Sequence, residues 1–93
     1  MILIVCRLFI FIFIIILFKE VNVLDIIKVF GNNLKKYRKQ LGLSQEAFAN
    51  KCGLHRTYIS AIECYRRSIS LENIKRIADA LEVEPYKLFM DGE

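Results

Sequence analysis

Little in these 93 residues is equipped for catalysis or for holding a metal. There is one histidine, His55, and an odd number of cysteines, Cys6, Cys52 and Cys64. None of them stands at ligand spacing from another, so no metal site is expected, and a disulfide framework fits less well than a reducing cytoplasm. No glycine-rich phosphate loop and no carboxylate pair in a plausible pocket occurs, so neither an enzyme nor a cofactor is expected. Strand-like alternation and internal repeats are missing too, which leaves an all-α fold. The single proline, Pro85, follows Glu84 where it would open a last short helix. A chain of this length has room for one small domain.

The apolar share, 55%, is high, and the excess is local. Residues 1–18 carry one charge, Arg7, and eleven consecutive apolar residues run from Leu8 to Phe18. As a helix these 18 residues would reach roughly 27 Å, marginal for a hydrocarbon core of about 30 Å. Two accounts of this apolar leader, residues 1–20, compete. It is a membrane anchor, with Lys19 and a basic domain holding the rest on the cytoplasmic face of the inner membrane. Or it is a non-native extension from a mis-assigned start, since A/T-rich upstream DNA encodes mostly Ile, Phe, Leu and Val. No methionine lies between Met1 and Met90, so a later start needs another codon. An anchor would also hold the domain close to an anionic surface that repels DNA, which ranks the second account narrowly first. A cleavable signal peptide fits poorly, because a basic start and a small-residue cleavage site are both missing.

Positive charge is concentrated as well. Residues 28–67 hold nine basic side chains against Glu46 and Glu63, whereas residues 68–93 are net acidic. That basic block surrounds the stretch from Ser44 to Glu63. Ser44 is placed to cap a helix carrying Phe48, Ala49 and Cys52 on one face, and Gly53 ends it where a left-handed residue costs least. Leu54 tucks the turn inward, and a second helix follows through Ile59 and Ile62. A small residue at Ala49 lets the two helices cross closely. This spacing defines a helix-turn-helix, whose second helix lies in the DNA major groove.

Around that motif, residues 21–28 read as a linker or helix start, residues 29–90 as the domain and residues 91–93 as a polar tail. The first domain helix is expected from Asp25 to Leu41, with the stripe Ile26, Phe30, Leu34, Tyr37 and Leu41. Gly31 is a local weakness, and the helix is expected to begin effectively after it. Ser70 caps the next helix, with the stripe Leu71, Ile74, Ile77, Ala78 and Leu81. Pro85 opens the last. The expectation is thus five short helices preceded by an apolar segment.

From about Val29 to Phe89 the chain resembles the Cro/repressor-type (XRE-like) helix-turn-helix family. Within it, GLSQEAFANKCGLHRTYISAIE is most similar to the small controller proteins of restriction–modification systems. The resemblance implies a lambda-repressor-like domain and a transcriptional regulator that binds double-stranded DNA as a homodimer. Relatives commonly carry glycine where this chain has Tyr65, so the second helix is expected to end less sharply, a residue later.

Base reading is assigned to the exposed face of helix 55–63: Arg56, Thr57, Ser60 and Ala61. Arg56 leads, because a guanidinium can bond guanine O6 and N7 together. Phosphate contacts are assigned to Gln45, by resemblance, and to His55 and Tyr58. Arg38, Lys39, Arg66 and Arg67 join them, although each is equally consistent with a solvated charge. The dimer seam is placed on Val83, Tyr86, Leu88 and Phe89, against the rival reading that Leu88 and Phe89 close the monomer core. Two other functions stay open: a membrane-tethered module that contacts protein, with membrane contact only through residues 1–18, and an antitoxin, which uses this same fold.

Overall fold

In the computed structural model, which describes residues 2–17 and 23–91, the Ser44 hydroxyl accepts from the Ala47 N–H at 3.0 Å. This starts α3, Gln45–Cys52. Gly53 then turns the chain at φ 70°, its N–H reaching back to the carbonyls of Ala49 and Asn50. After His55 the chain enters α4, Arg56–Glu63. Two helices flank this pair: α2, Val23–Gln40, before it and α5, Leu71–Leu81, after it. Pro85–Phe89 forms a 3-10 helix rather than an α-helix. No strand occurs among the described residues.

The packing explains the sequence pattern. Phe48, Leu34, Ile59, Ile62, Ile77 and Leu88 are fully buried, one or two from each element, so the core is the common interior of all five. α2 packs on α4 and on the 3-10 helix, and α3 packs on both α4 and α5. Asn33, buried in α2, donates through Nδ2 to the carbonyls of Leu88 and Met90, both at 2.9 Å. This amide pins the chain end against the first domain helix and drives Leu88 into the core.

Two expectations about helix ends change. α2 runs unbroken through Gly31, which is buried, not a weak point. A Cβ there would stand 2.6 Å from the Ile62 carbonyl oxygen and 3.1 Å from the Tyr65 ring. Glycine is what lets the end of α4 approach α2 so closely. Nor does α4 gain the extra residue expected of it: it ends at Glu63. Tyr65 takes the left-handed conformation (φ 64°) that glycine adopts most cheaply, and Arg66 N–H closes the turn on the Ala61 carbonyl at 2.9 Å. The Tyr65 ring lies against Gly31, and its hydroxyl donates to Asn32 Oδ1. A left-handed tyrosine is costly on its own; here ring and hydroxyl contacts hold it. Of the expected stripes, Ile26 and Leu41 are exposed at their rims, and Leu71 is 84% exposed.

The apolar leader forms α1, Ile2–Leu17, with Ile4, Val5 and Leu8 to Ile12 exposed. Its 16 residues reach about 24 Å. No helix among the described residues is long and apolar enough to cross a membrane. The reading of residues 18–22, 92 and 93 lies outside the described residues.

Candidate nucleic-acid interface

The outward face of α4 is a ridge with a shallow depression on either side. One depression, of about 250 Å³, is lined by Arg56, Thr57, Ser60, Ala61, Cys64 and Arg66. All four residues assigned to base reading are therefore brought together, with Arg66 at their edge. The second, of about 540 Å³, is lined by Gly53, Leu54, His55, Thr57, Tyr58, Arg67 and Asn73. Neither has a carboxylate in its lining. This is the electrostatic requirement for a surface that accepts an anionic backbone.

The inner face of α4 holds the ridge in place. Ile59 and Ile62 fill the core, and Glu63, one turn after Ile59, is buried with them. Glu63 receives Arg38 Nε at 2.7 Å and Arg38 Nη2 at 2.9 Å, a two-point ion pair from α2. Arg38 Nη1 donates to the Leu43 carbonyl at 2.7 Å, and Gln45 Nε2 donates to Glu63 Oε1 at 3.1 Å. One carboxylate thus joins α2, the start of α3 and the end of α4. No buried side-chain polar atom among the described residues lacks a partner.

This network corrects one assignment and narrows another. Arg38 is 7% exposed and committed to Glu63, so it is not a phosphate contact. Gln45 is half-buried with an amide N–H turned inward to Glu63, and it lines neither depression. Lys39 is exposed but also lies outside both. His55, Tyr58 and Arg67 share the second depression, with the Arg67 guanidinium 5.3 Å from the Tyr58 ring centre.

Sequence reasoning missed Glu63 and Asn73. Glu63 had a signal, a lone acid on the apolar stripe of α4, where an unpaired charge is not tolerated. Asn73 had none, since only the packing of α5 brings its Nδ2 to the Tyr58 hydroxyl, at 3.0 Å. Among the cysteines, Cys52 is buried and its thiol is pushed up to about 11 by desolvation, with Lys51 opposing. Cys64 is exposed in the same depression as Arg56, Thr57, Ser60 and Ala61. No cluster of metal-ligating side chains occurs among the described residues.

The dimer assignment divides. Leu88 is fully buried and belongs to the monomer core, which removes it from the seam. Val83 is half-buried against that core. Tyr86 and Phe89 are 60% and 44% exposed. Phe89 stacks at a tilt on Phe30, ring centres 5.4 Å apart, and edges a 750 Å³ hollow that also includes Ile26 and Val29.

Two short helices crossing at a left-handed glycine, the second offering a carboxylate-free polar ridge, define a helical domain of the DNA-docking class. The family model described as Helix-turn-helix matches residues 34–88, and the chain belongs to that family. A hypothetical transcription factor from Neisseria meningitidis is 44% identical over 66 residues, covering 71% of this chain and 62% of that protein. The crystal structure of that Neisseria factor superposes with a TM-score of 0.70 over 71% of this chain and 74% of the other. Control protein C.MunI from a Mycoplasma species is 48% identical over 65 residues, covering 69% of this chain and 88% of its own. The restriction–modification controller protein C.Esp1396I, solved as a tetramer with its natural 35 base-pair operator, is 34% identical. It superposes with a TM-score of 0.64 over 73% of this chain and 87% of the other.

Proposed function

We propose that the protein is a sequence-specific, DNA-binding transcriptional regulator of the restriction–modification controller type, working on DNA in the cytoplasm rather than as an enzyme. The observation that carries this reading is the gathering of exposed Arg56 and Thr57 with half-buried Ser60 and Ala61 around one depression of α4, whose inner face Glu63 fixes from behind. α4 enters the major groove, where Arg56 takes the two acceptors of a guanine and the small Ser60 and Ala61 allow close approach. Thr57 meets a thymine methyl or a phosphate. His55, Tyr58, Arg66 and Arg67 contact the backbone on either side, helped by Lys39 and the free amide N–H of Gln45.

One ridge reads few base pairs, so two copies are required on paired half-sites. The seam runs through Tyr86 and Phe89, with Val83 at its edge. That C.Esp1396I is solved as a tetramer on its operator supports the binding of more than one copy to an operator. Binding measured by fluorescence anisotropy on DNA from upstream of the gene tests the reading. Affinity should fall steeply with salt, by about 0.9 in log K per log unit of salt for each phosphate neutralised. Arg56→Ala should cost roughly tenfold to a hundredfold on that DNA and little on an unrelated duplex. Equal loss on both duplexes would overturn the base-reading role.

A further inference from the structure

We propose that Asn73, on α5, is a positioning residue for the DNA backbone: its amide turns the Tyr58 hydroxyl proton outward, toward a phosphate oxygen. The inference rests on the DNA-binding reading above and assigns a task to a residue outside the helix-turn-helix.

The argument starts from the hydrogen-bonding capacity of a phenol, which has one proton to give and lone pairs to receive. Asn73 Nδ2 donates to the Tyr58 oxygen at 3.0 Å, so on that side Tyr58 can only accept. The phenolic proton is left for another partner. The Tyr58 ring is held on one side by the core and on the other by Arg67, whose guanidinium lies 5.3 Å from its centre. Asn73 is held in turn, because its backbone N–H donates to the Ser70 hydroxyl at 3.2 Å in the first turn of α5. The hydroxyl therefore has a fixed place in the depression that His55, Thr57 and Arg67 share. Those neighbours supply donors and positive charge but no carboxylate, the surroundings an anionic oxygen requires. Accepting from Asn73 also strengthens the hydroxyl as a donor, since chained hydrogen bonds polarise one another. The occupant is a backbone phosphate beside the start of α4.

The test uses the full chain and two duplexes, one from upstream of its gene and one scrambled, with melting temperature followed for every variant. Asn73→Ala and Tyr58→Phe should each weaken binding about fivefold to tenfold, the size of one hydrogen bond, on both duplexes alike. The double variant should bind no worse than Tyr58→Phe alone, because Asn73 acts through that hydroxyl. Asn73→Asp has the same shape but only accepts; it should draw the proton inward and bind more weakly than Asn73→Ala while melting close to wild type. Additive losses in the double variant, or an Asn73→Asp protein that binds like wild type, would overturn the proposal and leave the DNA-binding reading intact. Failure of the wild type to bind either duplex would overturn both.

Discussion

Glu63 shows how far one side chain can carry a functional surface. It lies on the buried side of the helix whose other side faces outward, and it collects Arg38 and Gln45 from two neighbouring helices. Removing one partner of a buried ion pair strands the other charge, a loss of about 3–5 kcal/mol. Glu63→Ala should therefore unfold at markedly lower denaturant, and Arg38→Ala should match it; a loss below about 1 kcal/mol in urea titration would contradict the buried pairing. Arg38 also shows why a charge is hard to assign from sequence. Four basic residues cluster at 35, 36, 38 and 39, and only the three-dimensional fold separates the one that is buried. The cysteines separate in the same way. Burial of the neutral thiol at Cys52 contributes stability that is full below about pH 8.5 and is lost as pH rises through about 11. At pH 8 only roughly a thousandth of Cys52 is thiolate. Iodoacetamide at that pH should label exposed Cys64 well before Cys52, as mass mapping would show; equal rates would contradict the burial of Cys52.

At the scale of elements, the crossing of α2 and α4 depends on a missing side chain. Gly31 admits the Ile62 carbonyl and the Tyr65 ring where any Cβ would collide. Alanine is ordinarily the better helix residue by about 1 kcal/mol, yet overpacking at this contact costs about 1–3 kcal/mol. Gly31→Ala is accordingly expected to destabilise, and a rise in melting temperature would contradict the close crossing. The sequence pattern made α3 and α4 legible because their signals are local: Ser44 caps, Gly53 turns, and Ile59 and Ile62 repeat at helical spacing. The Gly31–Tyr65 contact was not legible, since it joins residues 34 positions apart that each look unfavourable alone. Leu71 misled for the opposite reason. It sits in phase with the α5 stripe, but at the first turn that face has already left the core. The last helix was placed correctly by Pro85 yet took the tighter 3-10 form over its five residues.

For the whole molecule, the assembly is the quantity that follows least directly from one chain. Burial of Leu88 and the Asn33 clamp leave Tyr86 and Phe89 as the exposed aromatics at the chain end. Tyr86→Asp, which disturbs no buried contact, should shift sedimentation toward the monomer and weaken operator binding; unchanged sedimentation would move the seam elsewhere. The central claim is that paired α4 ridges read a two-fold operator. A footprint on the DNA just upstream of the gene tests it most directly, with the full chain, wild type beside Arg56→Ala, at two salt concentrations. The account predicts two symmetric protected half-sites for the wild type, weaker at high salt, and their loss in the variant. Absence of protection at either salt, or a footprint unchanged by Arg56→Ala, would contradict it.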